Sequence, residues 1–273
     1  MRWVSFLHDG RPQVGVIQGD SVIPLAGIDA IGAGAGTAEL RAAQPEPDRA
    51  VRRADVRLLP ASPAPRKVLC VGLNYSGHIT ETGRETPTYP VLFAKYASSL
   101  ISATDAIRLP PESLQVDYEG ELAVVIGKPG RRICRDRALD HVLGYTVAND
   151  VTMRDFQYKT HQWIQGKAWD ASTPIGPEIV SPDEVDLPSS GIRTVLNGET
   201  VQHSDLSHLI FDIPALIATI SEFAALEAGD VILTGTPSGV GYRRDPQRFL
   251  QPGDQIAVEI DGIGRIDSSV QAE

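Results

Sequence analysis

Short apolar runs separated by glycine, proline and acidic residues set the pattern of this chain. Trp3–Leu7 and Gln13–Ile17 flank Asp9-Gly10, and Ser21–Pro24 follows Gly19-Asp20, which predicts a small antiparallel meander. Residues 26–54 are Ala/Gly-rich with scattered charges and predict short helix and loop. Three prolines within Leu58–Pro65 predict a linker, and so a boundary near residue 65. Beyond it, Val68–Gly72, Pro90–Ala94, Gly120–Ile126, Val142–Ala148 and Val231–Thr234 read as buried strands. Asn197-Gly198 joins Arg193–Leu196 to Thr200–Gln202 as a hairpin, and Asp261-Gly262 joins Ile256–Ile260 to Ile263–Ile266 as another. Asp212–Leu226 predicts the clearest helix: Ile213, Leu216, Ile217, Ile220 and Phe223 follow i, i+3, i+4 spacing, with Pro214 in the first turn. Val151–Tyr158 predicts a second helix.

This is a β-rich pattern. At 273 residues, with 42% hydrophobic and 22% charged positions, it suits one or two folded domains. The boundary divides it into residues 1–65 and 66–273. Charge narrows the partners: 25 Lys+Arg against 35 Asp+Glu leave −10, so phosphate backbones and anionic membrane surfaces are repelled, and neither nucleic acid nor membrane is expected as a partner. No apolar run reaches the 18 residues of a span. His8 and Asp9 interrupt the N-terminus too early for a signal-peptide core. Cys70 and Cys134 make neither a disulfide framework nor a CxxC metal site. The expectation is a cytoplasmic enzyme or binding protein for a small molecule.

Five segments offer chemistry. In Asp117-Tyr118-Glu119-Gly120-Glu121, strand alternation points Glu119 and Glu121 the same way, and two carboxylates that close call for a cation between them. E-x-E is common, however, and from spacing alone a solvated strand edge is the better account. Asp150 ends the apolar run Val142–Ala148 after Asn149 and can complete a three-carboxylate oxygen site, or can cap the segment that follows. His78 and Glu81 share one face of a helical turn, where the carboxylate raises the basicity of the imidazole, although such surface pairs are often incidental. Lys167 follows Trp163 and Gly166 in an apolar setting and suits a developing enolate, or simply lays its stem on apolar neighbours. Gly235–Gly241 places glycines directly after a strand, where backbone N–H groups can meet an anion or merely turn the chain.

Together these segments resemble the fumarylacetoacetate hydrolase superfamily, in particular its bacterial acylpyruvase and 2-hydroxyhepta-2,4-diene-1,7-dioate isomerase-like members. The E-x-E, 28 residues, D signature is matched by Glu119, Glu121 and Asp150, with residues 122–149 between them. The G-x-N-Y and H-x-x-E segments stand at Gly72–Tyr75 and His78–Glu81, the D-x-T-x-R-D-x-Q segment at Asp150–Gln157, and the C-terminal signature at Gly229–Gly241. The resemblance covers roughly residues 66–270 and implies an α+β, strand-rich mixed β-roll, with residues 1–65 a small N-terminal α/β domain. It further implies a homodimer with one Mg²⁺ or Mn²⁺ on Glu119, Glu121 and Asp150. His78 with Glu81 would be the general base for water, and Lys167 the stabiliser of enolate or oxyanion charge. Arg154 and Gln157 would contact the substrate carboxylate or support the metal shell, and Thr236 would hold a substrate carboxylate or carbonyl. The expected activity is hydrolysis of a C–C bond in an acylpyruvate-like diketo acid; oxaloacetate-type decarboxylation or isomerisation of a dienoic oxo-acid is the alternative on the same scaffold.

Overall fold

The computed structural model describes residues 1–32, 34–77, 81 and 85–273. Its largest feature is a twelve-stranded mixed sheet. At its centre, Gly120–Ile126 runs antiparallel to Val142–Asn149 on one side and to Val231–Leu233 on the other. Every residue of Gly120–Ile126 is buried. Leu122, Val124 and Ile126 face one apolar core, whereas Ala123 and Val125 face a second. A strand covered on both faces needs apolar side chains at consecutive positions, which is why the segment reads as a continuous run.

Val68–Gly72 pairs parallel with Val231–Leu233, and Val91–Lys95 lies antiparallel beside it. On the other flank Thr173–Val180 pairs with Val142–Asn149 and carries Arg2–His8 on its outer side. The meander of Arg2–His8, Arg11–Gln18 and Ser21–Pro24 therefore extends the same sheet, and Trp3 is wholly buried. A second sheet of five strands is built on the hairpins Gly191–Leu196 with Glu199–Asp205 and Gln255–Ile260 with Gly264–Ala272. Val258, Ile260 and Ile266 from this sheet join the Leu122 core, together with Leu216, Ile217 and Ile220 of the helix Ile213–Phe223. The two sheets come close at Gly120, where an added Cβ would lie 2.3 Å from Thr194 Oγ1. The architecture is α+β and strand-dominated, as expected for the β-roll.

One local expectation is corrected, and one strand is added to those expected. Val151–Tyr158 is not one helix: Thr152–Met153 pairs with Val116–Asp117 as a short ribbon, and helix covers only Arg154–Gln157. Thr173–Val180 is a fully buried strand, although Pro174 and Pro177 hid it from the apolar pattern.

Candidate active site

The sheet brings the three carboxylates together. Glu119 directly precedes the strand Gly120–Ile126, Glu121 is its second residue, and Asp150 follows Val142–Asn149. Pairing of Gly120 with Asn149 sets the two strand ends side by side, and the Asp150 N–H donates to Glu119 O at 2.8 Å. All three side chains are buried and offer ligand atoms within 4.8 Å of one another. Burial first, then the negative charges of Asp150 and Glu119, push the Glu121 carboxyl well above the ordinary carboxylate range. A cation among the three would relieve that repulsion. Three hard oxygen donors with room for others fit a divalent ion of the Mg²⁺ type.

Three cations surround this acidic group. Lys167 Nζ, from the short helix Ile164–Lys167, donates to Glu119 Oε2 and to Asp150 Oδ2, each at 2.7 Å. Burial alone would depress this ammonium's pKa, but Asp150 and Glu119 outweigh it and hold Lys167 in its charged form. Lys95 Nζ, with a fully buried side chain, reaches Asp150 Oδ1 at 2.6 Å and the Val151 carbonyl at 3.2 Å. Arg154 lies 2.7 Å from Glu119 Oε1 through Nη1, which also donates to Gln157 Oε1 at 3.0 Å; its Nε donates to Asp117 Oδ2 at 2.9 Å. The remaining triad residue, Glu121, accepts from the Gly235 N–H at 2.7 Å.

Lys95 and Asp117 were not singled out from the sequence. Lys95 closes a strand whose apolar run ends at Ala94, so nothing local distinguishes it from a solvated lysine. Asp117 stood in the acidic segment without a role. A third buried polar residue, Gln202, receives the Gly120 N–H at 3.0 Å and donates to Thr236 Oγ1 at 2.8 Å. It lies in the hairpin strand Glu199–Asp205, where the sequence carried no signal beyond strand propensity.

A half-open cavity leads to the carboxylates. Glu119, Glu121, Arg154, Gln157, Lys167 and Thr236 all line it, beside an aromatic wall of Phe93, Trp163, Tyr158 and Tyr242. Of the residues expected from the sequence, these six line the cavity and Asp150 lies beside Glu119 and Glu121, with two differences in detail. The Thr236 hydroxyl is already engaged, donating to the Gly120 carbonyl at 3.0 Å and accepting from Gln202. Glu81 reaches the glycine loop, accepting the Gly239 N–H at 2.8 Å. His78 lies outside the described residues.

Residues 67–271 match the family described as fumarylacetoacetate (FAA) hydrolase C-terminal, and residues 1–60 match a family described as Rv2993c-like, N-terminal. The chain belongs to the fumarylacetoacetate hydrolase family. It is 46% identical over 221 residues to the Xenopus laevis protein named oxaloacetate tautomerase fahd2, mitochondrial, covering 80% of this chain and 69% of that one. Among solved structures, fumarylacetoacetate hydrolase from psychrophilic Exiguobacterium antarcticum superposes with a TM-score of 0.88 at 38% identity over the whole of both chains. A 5-carboxymethyl-2-hydroxymuconate delta-isomerase from Mycobacterium smegmatis gives 0.86 at 34% identity, again over the whole of both. Among the described residues no helix is long and apolar enough to cross a membrane.

Proposed function

We propose that this protein interconverts the enol and keto forms of a 2-oxo acid of the oxaloacetate type, using Mg²⁺ or Mn²⁺ held by Glu119, Glu121 and Asp150. The observation that carries this reading is the 46% identity to an oxaloacetate tautomerase across four-fifths of the chain, a span that includes much of the site just described. It moves the emphasis away from C–C hydrolysis and towards isomerising chemistry.

A bound divalent cation would supply a Lewis acid that polarises the 2-oxo group and stabilises the enolate. The chain's own residues do the rest. Lys167, ion-paired with Glu119 and Asp150, contributes positive charge where enolate charge develops. Arg154, clamped by Asp117 and Glu119, presents a fixed guanidinium to the cavity wall. The aromatic wall of Phe93 and Trp163, packed edge to face at 5.6 Å between centroids, keeps water from the reacting carbons. His78 with Glu81 is assigned the proton that moves on or off C3, and the balancing proton on the 2-oxygen is exchanged with solvent.

The test follows the decay of enol oxaloacetate by its ultraviolet absorbance, with Mg²⁺ and with Mn²⁺, against the metal-only rate. Acceleration that chelator abolishes and metal restores supports the proposal. No acceleration, with release of pyruvate from acylpyruvates instead, would return the protein to the hydrolase reading. That second reading draws on the likeness to the Exiguobacterium protein named a fumarylacetoacetate hydrolase.

A further inference from the structure

Of the three cationic side chains that line the cavity, Arg154 and Lys167 are bound to carboxylates and Arg243 is not. Among the described residues no carboxylate lies within ion-pair reach of Arg243. Its guanidinium carbon instead stands 5.3 Å over the ring of Tyr242. Its neighbours differ: Arg244 and Arg248 both pair with Glu199. In a chain of net charge −10, a cation at a cavity mouth without an internal anion is open to an external one.

The position of Arg243 is tied to the inner site by Asp117. One oxygen of this wholly buried carboxylate accepts the Gly241 N–H at 2.8 Å. The other accepts the Tyr242 N–H at 3.0 Å and Arg154 Nε at 2.9 Å. The turn Gly241–Arg243 and the guanidinium of Arg154 therefore hang on the same side chain. The turn is packed tightly against the segment that follows: a Cβ at Gly241 would lie 1.8 Å from the Arg248 carbonyl. Tyr242 is further braced by Tyr158, with ring centroids 5.3 Å apart. Arg154 and Arg243 thus line one cavity, with Asp117 holding the Arg154 guanidinium and the backbone of the turn from which exposed Arg243 projects. One stands beside the acidic group that would hold the 2-oxo acid end, and the other stands free at the rim.

Resting on the proposed tautomerase function, we infer that Arg243 is a specificity residue that binds the second, distal carboxylate of a 2-oxo dicarboxylate. Monocarboxylic oxo-acids lack the group it would meet. The guanidinium fork suits a carboxylate bidentately, and its stacking on Tyr242 costs it none of those donors.

The test compares oxaloacetate with its 4-methyl ester, which keeps the shape and loses the distal charge. In wild type the diacid should be the better substrate. Arg243→Gln should raise KM for the diacid about tenfold, with kcat little changed and the ester unaffected, as expected for loss of one charge-assisted contact. Arg243→Lys should recover part of the difference. An equal effect on diacid and ester, or none on the diacid, would overturn the assignment. If wild type turns over neither compound, the tautomerase reading fails separately, and calorimetric titration with both ligands in Mg²⁺ decides the subsite. Tighter binding of the diacid by wild type but not by Arg243→Gln sustains it. Equal affinities, or no binding of either, reject it.

Discussion

At the residue scale the site is a problem in charge. Asp150 illustrates the balance: burial disfavours its charge, but Lys167 and Lys95 outweigh burial and lower its pKa. Glu121 is shifted the other way, because burial and two neighbouring carboxylates act on it together. The consequences for stability have opposite signs. The contribution from Asp150 is present above its ordinary value of 3.8 and disappears as the pH falls through its lowered folded value. Glu121 takes up a proton on folding above its ordinary 4.5, so without a cation the protein should gain stability as the pH drops from neutral towards that range. A divalent ion that requires all three ionised carboxylates should therefore raise Tm more near neutral pH than at about pH 5. Thermal melts with Mg²⁺ and with chelator across that range check this; a metal effect independent of pH would count against the site. Glu119→Ala, Glu121→Ala and Asp150→Ala should each abolish tight Mn²⁺ binding in a calorimetric titration. Lys95→Met should lower stability by about 3–5 kcal/mol in urea, because it leaves a buried carboxylate short of a partner.

At the element scale, local rules and packing contribute separately. The helix Ile213–Phe223 starts where Asp212 accepts the Ala215 N–H at 2.8 Å. Asp212→Ala should cost about 1 kcal/mol in chemical unfolding and leave catalysis alone, since its other contact, with exposed Arg135, adds little. The start of the central strand is less forgiving. A methyl group at Gly120 would meet Thr194 Oγ1 at 2.3 Å and the Val258 side chain at 2.9 Å, so the two sheets would have to part. Gly120→Ala should destabilise by about 1–3 kcal/mol and lower activity as well, because Glu119 and Glu121 flank it. Thermal unfolding and enol turnover on the same preparation would show whether the two losses travel together.

At the scale of the whole molecule, the sheet runs continuously from the N-terminal meander to the strand that carries Lys95. Beside the helix Ile213–Phe223 lies an apolar groove whose lining includes Tyr145, Leu187, Leu206, Leu209 and Ile213, with Leu139 half exposed at its edge. A surface of this kind favours association. The homodimer proposed from the family resemblance should appear in light scattering at twice the chain mass of 29.4 kDa. A single chain mass at micromolar concentration would contradict it.

The sequence by itself determined the elements whose signal is local. The apolar run Gly120–Ile126, the i, i+3, i+4 spacing of the Ile213–Phe223 helix and the glycine-centred hairpins were legible because strand alternation, helix periodicity and turn chemistry act within a few residues. The E-x-E and D spacing took its meaning only from the family resemblance, because E-x-E alone is common on solvated strand edges; strand pairing then converts it into adjacency. Thr173–Val180 was not: its prolines contradict strand propensity, and only burial between two neighbouring strands makes it one. Lys95 meets Asp150 across 55 positions, and Asp117 meets Gly241 across 124. Contacts that distant leave no periodic trace. The depth of burial that turns those charges into a poised site is a property of packed layers, and tertiary structure alone decided it.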